Sequence, residues 1–240
     1  MGDDDRVLKA CLNGGRRRDE HPAVPVTPAD LAADAARCAE LGVAAVHVHA
    51  RDAAGAESLA PAVIAETVAA LRAARPEMAI GVSTGAWIEA DPAARVAAVR
   101  AWPVLPDFAS VNVHEEGAEA VAAALHERAV LVEAGIWAAA DVPAYRRWRV
   151  PAGRILVECT PDEPIEALAA AAAMLAALTP DDPPVLLHGE GGAAWPVLAE
   201  AVRRGLHTRI GLEDTLHLPD GATAADNAAL VAAARALGAR

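Results

Sequence analysis

Short apolar runs of four to six residues alternate with longer alanine- and leucine-rich stretches along nearly the whole chain. The short runs predict strands at Val7–Leu12, Ala44–His49, Ala79–Ser83, Phe108–Val113, Val130–Gly135, Arg154–Cys159, Val185–His188 and Thr208–Leu212. The periodic stretches predict helices at Pro28–Leu41, Pro61–Arg75, Pro92–Trp102, Ala118–Glu127, Val142–Trp148, Pro164–Leu178, Ala193–Gly205 and Ala222–Leu237. Thr27-Pro28 and Asp91-Pro92 each place a capping oxygen before a proline at the first helical position. Thr223 and Asp226 have the spacing of a capping box for the last helix. Gly42, Gly205 and Gly238 stand where helices should stop. Eight strand–helix units in 240 residues match the arithmetic of a closed (β/α)8 barrel, an α/β TIM barrel. An open doubly wound sheet is the alternative. The regular units and the absence of a Pro/Gly/Ser-rich spacer favour one barrel domain over residues 1–240.

Composition narrows the function classes. Hydrophobic residues make up 54% of the chain and charged residues 22%, enough for a large core and too balanced for disorder. A net charge of -12 repels phosphate backbones, which argues against nucleic-acid binding. The longest apolar run, Ala167–Leu178, has 12 residues, short of the ~20 needed to span a bilayer, so no membrane association is expected. The start of the chain, with three aspartates over residues 3–5, has no apolar signal region. Cys11, Cys38 and Cys159, with no CxxC, read as reduced, buried thiols of a cytoplasmic protein. Lys9 is the only lysine beside 20 arginines, a bias attributed to base composition rather than function.

In a barrel, chemistry belongs at the C-terminal strand ends. His47 and His49 share one face there, since positions i and i+2 of a strand point the same way. Two imidazoles so placed can ligate one cation, and two hydrogen-bonded core histidines are the plain alternative. A third ligand can come from Glu213, Asp214, Glu190, His188 or His114. Glu213 and Asp214 follow the eighth strand, and the intervening first strand ends in Gly14-Gly15, so a glutamate there can reach the histidines. Two histidines, a carboxylate and an open position suit zinc or non-haem iron. Arg209, four residues before Glu213, pairs with a carboxylate to order the loop, or orients a base. Ser83-Thr84-Gly85 and Ser110-Val111-Asn112 offer hydroxyls and an amide to the same mouth, or serve ordinary turns. Gly189-Glu190-Gly191-Gly192 precedes a helix and has the position of a phosphate loop, although Glu190 opposes that use. Arg16-Arg17-Arg18 is a solvated loop, or steers an anionic substrate.

Taken together, Lys9-Ala-Cys-Leu-Asn-Gly14, Val26-Thr-Pro28, Ala44-Ala-Val-His-Val-His-Ala-Arg-Asp52, Val82-Ser-Thr-Gly85, Ser110-Val-Asn112 and Arg209-Ile-Gly-Leu-Glu-Asp214 resemble the beta-keto acid cleavage enzymes, whose named type is 3-keto-5-aminohexanoate cleavage enzyme. The resemblance implies a (β/α)8 barrel with one zinc ion on His47, His49 and Glu213. It places the base at Asp214, assisted by Arg209 and Glu133, and substrate contacts at Ser83, Ser110 and Asn112; Thr84 and Gly85, from the same strand end, are further substrate-binding candidates. It implies condensation of a β-keto acid with acetyl-CoA, yielding acetoacetate and a new acyl-CoA, in a homo-oligomer, tetramer or dimer. On this view a carboxylate held by Arg209 removes a proton alpha to a thioester carbonyl, and the enolate attacks the ketone. Arg16 stands where the named type has a glutamate that pairs with the substrate's amino group, which points to a neutral or anionic substrate. The loops between the fourth and eighth strands are shorter than expected for the family. A metal-dependent hydrolase or aldolase that uses no CoA, and a barrel that binds an anionic metabolite without turnover, are the competing readings.

Overall fold

The computed structural model describes residues 6–240; the acidic segment 1–5, read above as lacking a signal, lies outside them. Among the described residues the strands are β1 (Leu8–Cys11), β2 (Ala45–Val48), β3 (Ala79–Ser83), β4 (Phe108–Asn112), β5 (Leu131–Ile136), β6 (Arg154–Cys159), β7 (Val185–Gly189) and β8 (Thr208–Ile210). The helices that follow them are α1 (Pro28–Glu40), α2 (Pro61–Ala74), α3 (Pro92–Ala101), α4 (Ala118–Glu127), α5 (Val142–Tyr145), α6 (Pro164–Ala177), α7 (Ala194–Arg204) and α8 (Asn227–Ala236). The strands pair in parallel in the order β7-β6-β5-β4-β3-β2-β1-β8. The two edges meet just before β8: Leu187 N donates to His207 O at 3.0 Å, and His207 N to Val185 O at 3.2 Å. The architecture is therefore a (β/α)8 barrel, as the unit count predicts.

Alternation along each strand divides the core into two layers. Val46, Val48, Ile80, Val82, Ala109 and Val111 are buried beneath the helices. The alternate positions fill the barrel, and there the contents are polar. Lys9 Nζ lies 2.6 Å from Glu133 Oε2, and Arg154 reaches Glu133 Oε1 at 2.7 Å. The ammonium also sits 5.1 Å from the centroid of the Phe108 ring. The lone lysine is thus more than a trace of base composition: it neutralises a carboxylate inside the barrel. All three cysteines are free and buried. No helix of the described residues is long and apolar enough to cross a membrane.

Helix starts follow the capping chemistry, with one correction. Thr27 Oγ1 accepts from Asp30 N at 3.2 Å, and Asp30 Oδ2 accepts from Thr27 N at 2.9 Å, a complete capping box for α1. Asp91 caps α3 by accepting from Ala93 N at 2.9 Å. α8 starts five residues later than predicted, at Asn227 instead of Ala222. Asp226 is its cap, accepting from Ala229 N at 2.9 Å, while Thr223 bridges to His217 in the preceding loop. Asn227 forces that register: its buried amide donates to Leu12 O and Asp34 and accepts from Leu212 N. α5 is shorter than the predicted Val142–Trp148, because Arg147 and Trp148 bond three residues back, to Ala144 O and Tyr145 O.

Candidate metal and substrate site

A cavity of about 420 Å³ opens at the C-terminal strand ends. His47 and His49 enter it from the end of β2, both buried, with ring centroids 5.2 Å apart. Glu213 arrives from the turn after β8, where Thr215 N donates to Gly211 O at 3.0 Å and Glu213 N to Cys11 O at 3.3 Å. It crosses over Gly14, whose φ is +52° and whose missing Cβ leaves the space that Glu213 Cγ occupies. The donor atoms of His47, His49 and Glu213 lie within 4.8 Å of one another.

The triad fits a divalent cation on its own chemistry. Nδ1 of His47 and Oε2 of Glu213 are buried with no hydrogen-bond partner, which is costly unless something ligates them. Burial, with help from the neighbouring His49, Lys9 and Arg209, pushes His47 well below the usual imidazole range, which favours the neutral imidazole, the form able to bind a metal.

Arg209 organises the wall beside the triad. Its Nε and Nη2 donate to Asp214 Oδ1 at 3.0 and 2.8 Å, and Nη2 lies 3.0 Å from Glu213 Oε1. Burial pushes the Asp214 carboxyl up to about 8 against the pull of Arg209, with Glu213 and Glu190 adding to the rise. Arg209 and Glu213 line the cavity; Asp214 is wholly buried behind them. His188 continues inward from Asp214, its Nδ1 3.7 Å from Asp214 Oδ1 and its Nε2 3.2 Å from Glu158 Oε2. Glu158 and Glu190 bring this acidic row back to the cavity wall. Burial, reinforced by Glu158, raises Glu190 to about 7.

The other expected residues separate into two groups. Ser83, Ser110, Asn112 and Arg16 line the cavity. Arg16 donates to Leu212 O at 3.1 Å and pairs with Glu20 at 3.1 Å, while Arg17 and Arg18 pair with Asp19 and Asp30 and are largely exposed. Thr84, Gly85 and Glu133 stand off the wall. The Thr84 hydroxyl donates to Ser110 O at 2.7 Å. Gly85 lies against the Trp87 ring, which a Cβ would strike. Glu133 is held below, between Lys9 and Arg154. The glycine turn after β7 offers no phosphate site, because Gly191, Gly192 and Ala193 donate their N–H groups to Asp214 O, Asp162 and Glu190 O. Sequence reasoning passed over Glu20, Glu57, Trp87 and Trp137, which also line the cavity. In a chain with 3% aromatics, tryptophans just after strand ends were the available signal for Trp87 and Trp137.

The fold is shared with solved proteins. ObcA bound to oxaloacetate superposes with a TM-score of 0.70 at 17% identity, covering 91% of this chain and 65% of that one. The ternary complex of ObcA with a C4-CoA adduct and oxalate gives 0.67 at 16% identity, covering 90% of this chain and 63% of that one. The chain therefore spans less than two thirds of the ObcA length. The 3-dehydroquinate dehydratase of Geobacillus kaustophilus gives 0.61 at 13% identity, covering 98% of this chain and 90% of that one. These identities speak for the barrel alone. A family match runs over residues 6–240, from before β1 to beyond α8, and on it the chain belongs to the beta-keto acid cleavage enzyme family.

Proposed function

We propose that the protein exchanges acyl groups between a β-keto acid and acetyl-CoA, releasing acetoacetate and a new acyl-CoA, with zinc on His47, His49 and Glu213. The observation that carries this reading is the triad with its unpartnered buried ligand atoms, set beside Arg209 on the cavity wall. A zinc ion held there would polarise the keto oxygen and steady the substrate carboxylate. Ser83, Ser110 and Asn112 supply further polar contacts from the cavity wall at β3 and β4.

Atom balance corrects the proton step expected above. Acetoacetate and a new thioester form only if the proton leaves carbon 2 of the keto acid, not the acetyl group. That carbon bonds to the acetyl carbonyl, and the C–S bond breaks. The released thiolate then bonds to the original keto carbon, the bond between carbons 2 and 3 breaks, and the proton returns to carbon 2. Asp214, oriented by Arg209, is assigned as the base. It is buried behind Arg209 and off the cavity wall, so this role requires the Arg209 side chain to swing aside when substrate binds. A second reading gives the base role to Glu190, favoured by its place on the wall and its carboxyl at about 7. Asp214→Asn and Glu190→Gln separate the two: the base variant keeps its zinc and loses turnover by at least about a hundredfold.

Arg16 also borders a second cavity of about 800 Å³ with Trp195, Leu216 and Leu218 on its wall, which is room for the arm of a CoA thioester. The reading extends to a cytoplasmic homo-oligomer built on the alanine-rich outer helices, and a monomeric mass at micromolar concentration would refute that part. The central experiment is a panel of β-keto acids with and without acetyl-CoA. Acyl-CoA formation supports the proposal. Turnover without CoA would replace it by a hydrolase or aldolase, and binding without turnover by a metabolite-binding barrel.

A further inference from the structure

His49 differs from His47 in having a partner for its Nδ1. That nitrogen is hydrogen-bonded to Oε1 of Glu57. An ionised carboxylate only accepts, so the proton belongs to Nδ1 and the lone pair to Nε2. Nε2 is the atom 3.8 Å from Glu213 Oε1.

The loop after β2 is built to put Glu57 there. The chain reverses over residues 52–55, with Gly55 N donating to Asp52 O at 2.9 Å and Asp52 N to Ala56 O at 2.8 Å. Glu57 therefore returns antiparallel to Arg51. The Arg51 guanidinium fastens the hairpin, donating to Gly55 O at 2.9 Å and to Gly14 O and Arg16 O at 2.7 Å each. Trp87 closes the other side. Its Nε1 donates to the same Glu57 oxygen at 3.2 Å, and its ring stacks on His49 with centroids 6.1 Å apart and planes 22° apart.

We infer that Glu57 is a positioning residue: it holds the His49 imidazole in its Nδ1-protonated form and in the orientation that offers Nε2 to a divalent cation shared with His47 and Glu213. The inference rests on the metal reading above. Carboxylates in this outer position typically change metal affinity by about 10–100-fold.

Two measurements on the full chain test it. In protein labelled with 15N-histidine and free of metal, long-range 1H–15N correlation is expected to show His49 as the Nδ1-protonated tautomer. Glu57→Ala is expected to shift it to a mixture or to the other tautomer; an unchanged pattern overturns the inference. In chelator competition, Glu57→Ala is expected to bind Zn2+ about 10–100-fold more weakly than wild type. Glu57→Gln, whose amide oxygen still accepts, is expected to lose less. Wild type and Glu57→Ala binding Zn2+ equally tightly overturns this inference alone. A wild type that binds no Zn2+ overturns the metal reading, and this inference with it.

Discussion

Gly14 shows how much a missing side chain can decide. A Cβ there would fall 2.5 Å from Glu213 Cγ, and φ of +52° disfavours any other residue. Gly14→Ala is expected to displace Glu213 and cut zinc affinity by about tenfold or more, read by chelator competition; full retention would mean that Glu213 has another route to the triad. Gly14-Gly15 was legible in the chain as a low place at the end of the first strand, between the second and eighth strands. Arg16 was only half legible. Its position on the cavity wall needed the turn to be seen, and its charge is shared with Glu20 at 3.1 Å. Arg16→Glu is expected to shift the kcat/KM ratio of dicarboxylate to amino β-keto acids about tenfold toward the amino substrate, ~1.4 kcal/mol. An unchanged preference order would remove Arg16 as the selector.

Helices and loops were legible to different degrees. Thr27-Pro28 and Asp91-Pro92 marked α1 and α3 because a cap acts within a few residues of itself. The start of α8 escaped because Asn227 answers to Leu12, Leu212 and Asp34, far away in sequence. Asp226→Ala is expected to cost ~1 kcal/mol in urea unfolding, and Thr223→Ala less than about 0.5 kcal/mol. The opposite ranking would restore the earlier helix start. Loops hid the most. Glu57 reaches His49 only because the 52–55 turn folds its strand back, and nothing in its own neighbourhood marks it as part of the site.

Across the barrel, stability and chemistry occupy different levels of one interior. Near the triad the polar atoms are left open; below it Lys9, Glu133 and Arg154 close on one another. Burial alone would raise the Glu133 carboxyl, but Lys9 and Arg154 hold it below the usual range. A depressed folded value contributes stability above the unfolded carboxylate range, near 4.3, and that contribution is lost as pH falls through the folded value. Glu133→Gln, which strands the Lys9 charge, is expected to lower stability by ~3–5 kcal/mol at pH 7. The gap from wild type should narrow below about pH 4, under the unfolded carboxylate range near 4.3, because the unfolded chain takes up the proton before the folded Glu133 does. Urea unfolding at both pH values checks this; a gap independent of pH would assign the loss to packing.

The eight units, the strand ends and the paired histidines could be read from the chain because their signals are periodic and local. A period of two puts His47 and His49 on one face wherever β2 lies. The matching of distant positions could not be read that way. Lys9 and Glu133 are 124 residues apart and meet only because the ring closes. Glu213 and Asp214 are neighbours in sequence, yet one lines the cavity and the other is buried behind Arg209, because the turn after β8 sends adjacent side chains to opposite sides of the wall.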